Sequence, residues 1–132
     1  MSNLLSVDIG KKRTGICLCL DGIILPQKAI KTYELEKVLK KYILDYNIEQ
    51  IIFGVPLDKD GKDNEMSLWV KDLVGKMNIC GVDKIFFNER LTTKESERLI
   101  RESGLKEKKE EIVDSISAMI IMKEYLNFER EK

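Results

Sequence analysis

Apolar and polar positions change their spacing twice along this chain. Leu4 to Val7 is a short apolar run, followed by a polar turn from Asp8 to Thr14 and a second strand-like run from Gly15 to Leu20. Asp21-Gly22 is a strong hairpin signal, because these residues tolerate the positive φ of tight hairpin turns. It leads into a third predicted strand over about Ile23 to Thr32. The three runs predict an antiparallel meander. From Leu35 the period becomes three and four: Leu35, Val38, Leu39, Tyr42, Ile43 and Tyr46 fall on one face of a helix.

Beyond that helix, "QIIFGVPL" reads as a buried strand stopped by Gly54 and Pro56, and "DKDGKDNE", Asp58 to Glu65, reads as a loop. Leu68, Trp69, Leu73, Val74 and Met77 predict a second helix, and "VDKIFFNE" another buried strand. "TTKESERLIRESG" predicts a helix with a capping box from Thr92 to Glu95 and a stop at Gly104. A charged linker, Lys106 to Glu111, then precedes a last helix from about Ile112 to Phe128. The expected order is βββαβαβαα, an α/β protein with a mixed sheet and helices on both faces. Length and the lack of repeats or low-complexity tracts predict one domain over residues 1–132.

Composition narrows the chemistry. The chain has no histidine, which removes serine–histidine and cysteine–histidine catalysis and imidazole zinc sites. Three cysteines without a CxxC pair make a poor zinc or redox site; Cys17 and Cys19 share one strand face and read as packing residues. Reduced thiols and the lack of a signal or a long apolar run predict a cytoplasmic protein. Basic and acidic residues balance at 23 each, so net charge alone does not advertise a nucleic-acid partner. Carboxylates, amines, hydroxyls and bound cations remain as tools, and carboxylate sites favour hard ions such as Mg²⁺ or Mn²⁺.

Three acids stand where a buried element meets a loop: Asp8 ends the first strand, Glu89 ends the strand "KIFFNE", and Asp114 sits in the first turn or so of the last helix. Singly, each has an ordinary explanation: a turn acid, a strand-end acid paired with Arg90, and an acid favoured by the helix dipole. Together they suit a divalent ion shared between elements that meet at one sheet edge. Asp114, Ser117, Ala118 and Ile121 share a helix face on which small residues permit close approach to the sheet. Trp69 and the tyrosines fit packing better than base stacking, and the Asp58–Gly61 stretch lacks the glycine spacing of a calcium loop.

"VDIGKKRTG", "IIFGVPLDKDG", "NERLTTKESERLI" and "VDSISAMIIMKEYL" closely resemble, in order, the motifs of the YqgF/RuvX family. The resemblance covers essentially the whole chain. It implies an RNase H-like mixed sheet of about five strands. It also implies a metal-dependent nuclease, either a Holliday junction resolvase or a nuclease maturing the 5′ end of pre-16S rRNA, that leaves 5′-phosphate and 3′-hydroxyl ends. Asp8, Glu89 and Asp114 would be the catalytic acids and ligands for Mg²⁺ or Mn²⁺, with Glu111, one turn before Asp114, a candidate fourth acid. Lys12, Arg13 and Arg90 would meet phosphates, and "GVPLDKDG" would be a substrate-side loop. Asn88 stands where the family usually has Asp, which removes one charge. The implied partner is nucleic acid, bound by a monomer or a homodimer. Two other readings use the same core: a non-catalytic nucleic-acid-binding module, which Asn88 and the neutral charge keep open, and an actin-like ATPase, which would need a second domain.

Overall fold

Strand pairing begins at the chain start. In the computed structural model, which describes residues 2–88 and 110–130, β1 is Leu4–Ile9 and β2 is Arg13–Leu20. They pair antiparallel from Leu4↔Cys19 through Asp8↔Gly15 to Ile9↔Thr14. The strands are therefore longer than the apolar runs suggest, and Asp8 lies inside the ladder rather than in the turn. Asp21 and Gly22 both take positive φ, 50° and 83°, and join β2 to β3, Ile23–Pro26, as a two-residue hairpin.

The third predicted strand is broken. β3 ends at Pro26, and a separate two-residue strand, β4 (Ile30–Lys31), pairs with Arg13 and Thr14 at the other end of β2. Pro26 has no N–H to continue a ladder. Gln27 N–H donates to the Ile16 carbonyl at 2.8 Å, tying the interruption to β2. The sheet thus has six strands, ordered β3-β2-β1-β5-β6 with β4 beside β2. β5, Gln50–Val55, and β6, Asp83–Asn88, run parallel to β1, so the carboxyl ends of β1, β5 and β6 share one edge.

Helices cover both faces, as the period changes predict. Helix α1, Leu35–Tyr46, follows a 3₁₀ turn at Thr32–Glu34 and ends at Asn47 in the left-handed conformation. Helix α2, Glu65–Lys76, starts at a reciprocal cap: Asn64 Oδ1 accepts from Ser67 N–H at 2.9 Å while Asn64 N–H donates to Ser67 Oγ at 2.7 Å. Both helices pack on the face carrying Leu5, Val7, Ile9, Ile16, Leu18 and Phe53. The other face carries Leu4, Cys17, Cys19 and Ile52 beneath the last helix, α3, Glu110–Arg130. Helix α3 begins before its predicted start, taking Glu110 and Glu111 out of the expected linker. Ile116, Ile121 and Met122 are all but inaccessible, which places its apolar side against the sheet. The helix expected from Thr92 to Gly104 lies outside the described residues. Among those described, no helix is long and apolar enough to cross a membrane.

Candidate active site

Period-two alternation assigns Asp8 a face. Leu5, Val7 and Ile9 point toward α1 and α2, whereas Leu4 and Ser6 point toward α3. Asp8, two positions beyond Ser6, shares the α3 face at the carboxyl end of β1 and is half-buried. On β2 the alternation that sets Cys17 and Cys19 beneath α3 brings Gly15 and Arg13 to the same face. Asp8 and Arg13 are thereby grouped at one end of one face.

Two buried serines fix where α3 lies against this edge. Ser6 Oγ donates to the Ala118 carbonyl at 2.5 Å. Ile16 N–H donates to Ser115 Oγ at 3.3 Å. Ile16 is the Val7 partner in the ladder, so advancing along β1 from Ser6 to Val7 steps backwards along α3 from Ala118 to Ser115. The helix runs opposite to β1, and its first turns reach the level of Asp8. Asp114 immediately precedes Ser115 on α3, and Glu111 lies three positions earlier on the same helix. The sequence pattern missed this serine lock. Its trace was two small polar residues at positions that an apolar pattern would fill.

β6 approaches the same edge. Val55 pairs with Asn88, the last described residue of the strand. Ile85 and Phe87 join the cluster under α3, while the Phe86 ring meets Phe53 on the α1/α2 face at 6.0 Å between centroids. Alternation therefore sets Asn88 on the face opposite Asp8. Glu89 and Arg90, with Thr92 and Thr93, lie outside the described residues.

The cationic turn between β1 and β2 is tightly built. Gly10 N–H donates to the Arg13 carbonyl at 3.0 Å. A Cβ on Gly10 would sit 2.5 Å from that carbonyl oxygen, so the third position of "DIGKKRTG" excludes a side chain. Thr32 clamps the turn from outside: its hydroxyl donates to the Gly10 carbonyl at 2.6 Å, and its N–H to the Lys12 carbonyl at 2.9 Å. Thr14 Oγ1, buried, lies 2.9 Å from Thr32 Oγ1. Lys11 turns away, its ammonium 5.4 Å from the Trp69 ring centroid, so Trp69 packs as expected and also holds a cation. Lys12 and Arg13 are exposed.

The "DKDG" loop follows β5 on this side of the sheet. Asp58 Oδ1 accepts from Asp60 and Lys62 N–H at 3.0 and 2.8 Å, and Gly61 takes φ 76°. Asp58 is thus committed to a turn. An open groove of about 560 Å³ runs between Lys11, Pro56 and Asn64–Met66, alongside the Gly10–Arg13 turn.

Donor chemistry at this edge fits a hard divalent ion. Imidazole is absent from the chain. Burial, aided by the neighbouring Cys19, pushes the Cys17 thiol up to about 12, and Cys17 packs beneath α3. Oxygen donors remain. Among the described residues no three acids or thiols form a ready metal cluster, and of the predicted acids only the Asp8 side chain belongs to that set.

Comparison with known proteins agrees with this architecture. The chain is 33% identical to a "Putative pre-16S rRNA nuclease" of Prochlorococcus marinus (strain MIT 9301), covering 94% of this chain and 83% of the relative. It is 30% identical to a protein of the same name from Bacteroides fragilis (strain YCH46), covering 98% and 99%. Among solved structures, Thermus thermophilus RuvC superposes with a TM-score of 0.62 at 13% identity over 96% of each chain. The fowlpox virus Holliday junction resolvase superposes with a TM-score of 0.60 at 14% identity, over 95% of this chain and 97% of that one. These likenesses show that the fold is RNase H-like. Residues 2–128 match the model of the RuvX family, described as Holliday junction resolvase. The chain therefore belongs to RuvX, a nuclease family built on the RNase H-like fold.

Proposed function

We propose that this protein is a metal-dependent endonuclease that hydrolyses phosphodiester bonds at the edge where β1, β6 and α3 converge. The observation that carries the reading is the position of Asp8: half-buried, on the α3 face, level with the helix turn that contains Asp114. Asp8, Glu89 and Asp114 are the proposed ligands of Mg²⁺ or Mn²⁺. Such an ion, when bound, neutralises phosphoryl oxygens and lowers the pKa of a water.

The chain's own residues do the rest. The carboxylates orient the attacking water and the scissile phosphate. Water adds to phosphorus, the bond to the 3′ oxygen breaks, and the products are a 5′-phosphate and a 3′-hydroxyl. Arg13, Lys12 and Arg90 grip the flanking phosphates, where a guanidinium can offer two parallel donors. Asn88, facing away from Asp8, is not among the ligands, so its missing charge does not remove one.

The preferred substrate is the 5′ extension of 16S rRNA precursor, in keeping with the names of the bacterial relatives. A Holliday junction is the second candidate, in keeping with the family description. The test measures Mn²⁺-dependent cleavage of a 5′-extended 16S precursor beside a four-way DNA junction, for wild type, Glu89→Gln and Asp114→Asn. Precursor cleavage by wild type and its loss in both variants is the expected result. Cleavage confined to the junction reassigns the substrate. Equal trace activity in all three overturns the nuclease reading and leaves a non-catalytic binding module.

A further inference from the structure

The edge that carries Arg13 continues into a segment with no role in the proposed chemistry. Lys31 pairs directly with Arg13 across β4 and β2, so both side chains start from the face shared with Asp8. Two residues on, Tyr33 is 80% exposed, a large apolar ring that the fold leaves to solvent. Packing was the expected role of the tyrosines, and Tyr42, on α1, meets it by packing partly buried against the core. Tyr33 does not. The Lys31 ammonium lies 6.0 Å from its ring centroid.

Exposure alone would say little, since single exposed apolar residues are common. Three further features give this ring a setting. It belongs to a 3₁₀ turn whose first residue, Thr32, is hydrogen-bonded to Gly10 and Lys12, so its backbone is fixed relative to the turn that follows Asp8. It lies beside a run of cations made by Lys12, Arg13 and Lys31. Its strand and turn sit at the same end of the sheet as the proposed cleavage edge. Exposed aromatics next to ordered cations are the parts from which single-stranded nucleic-acid sites are built: the ring stacks on a base, and the cations follow the phosphates.

We propose that Tyr33 is a base-stacking platform and Lys31 a phosphate contact, together binding an unpaired nucleotide of a single-stranded nucleic acid next to the cleavage edge, with Thr32 holding both in place. This rests on the nuclease reading for its location but is tested through binding. Short single-stranded RNA and DNA oligonucleotides are titrated with Ca²⁺ present at several salt concentrations, and Asp8→Asn cleavage is followed separately. Tyr33→Ala weakens binding about tenfold or more, while Tyr33→Phe, which keeps the ring, stays within about twofold of wild type. Lys31→Gln lowers the salt slope by about 0.7, the share of one single-strand phosphate contact. Thr32→Val weakens binding and Thr32→Ser restores it. A preference for RNA over DNA in the wild type that Tyr33→Ala leaves in place assigns sugar discrimination elsewhere while supporting the stacking role. Wild-type affinity in Tyr33→Ala, or equal losses in Tyr33→Ala and Tyr33→Phe, overturns the proposal. An Asp8→Asn variant that cleaves like wild type overturns the nuclease reading and leaves the binding result standing by itself. Tyr33 is exposed, so its variants fold, and thermal melts superimposable on wild type are expected.

Discussion

Asp8 shows how a single residue acquires a role through its neighbours. In the sequence it reads as a turn acid when taken alone and as one of three acids at element ends when taken together; in the ladder it pairs with Gly15 and faces α3. Gly10 defends that geometry, since any side chain at position 10 collides with the Arg13 carbonyl. Gly10→Ala should therefore cost about 1–3 kcal/mol in urea unfolding and weaken oligonucleotide binding, because the turn carrying Lys12 and Arg13 must shift. Cys17 makes a different residue-scale prediction. Burial raises its thiol from 9.0 to about 12, so the unfolded chain loses this proton first. Between those values the unfolded state binds fewer protons, and stability falls as pH rises. The slope from this one group approaches about 1.4 kcal/mol per pH unit. Tyr125, also raised to about 12 by burial, adds to the fall. Unfolding measured across that window should show a shallower decline for Cys17→Ala than for wild type, because only the thiol's share is removed.

Helix α3 carries the element-scale account. Its seating depends on Ser6 and Ser115, both fully buried, one donating to the helix and one accepting from β2. Ser115→Ala leaves the Ile16 N–H without its hydroxyl acceptor in a dry interior, at a cost of about 1–3 kcal/mol. Ser6→Ala removes only a donor, since a helix-interior carbonyl has an intrahelical partner, and should cost about 0.5–1.5 kcal/mol. Both bonds hold one helix, so the double variant should lose less than the sum in urea unfolding. Additive losses would show that the serines act independently of helix register. Element type was legible wherever the period was sustained: Leu35–Tyr46 emerged as a helix with the predicted span, and Asp21-Gly22 as a two-residue hairpin. Boundaries were less legible. The third strand broke at Pro26, and β1 and β2 extended through polar positions whose backbone groups the ladder satisfies regardless of side-chain polarity. Helix α3 also extended into Glu110 and Glu111, which an apolar pattern reads as linker but a helix N-terminus favours.

Across the whole molecule, a neutral net charge is compatible with a local cluster of cations among the described residues. Lys12, Arg13 and Lys31 gather at one sheet end, and a count of 23 against 23 cannot register that. The face shared by Asp8 and Arg13 emerged only once the ladder extended both strands through what the sequence reads as a turn. The Arg13–Lys31 pairing and the Thr32 clamp were not legible in the sequence either, because each needs a strand register that periodicity does not specify. Glu89 and Asp114 stood out in the sequence as acids at element ends, and the fold directs the end of β6 and the start of α3 to the edge that carries Asp8: β6 runs parallel to β1 and α3 runs back along it. The central claim is that carboxylates at this edge cut phosphodiesters with a divalent ion. Its most direct test is the single-turnover cleavage rate of a 5′-extended 16S precursor in Mn²⁺, wild type against Asp8→Asn, with matched thermal melts. A fall of about 100-fold or more with an unchanged melt is predicted; equal rates in the two proteins would contradict the account.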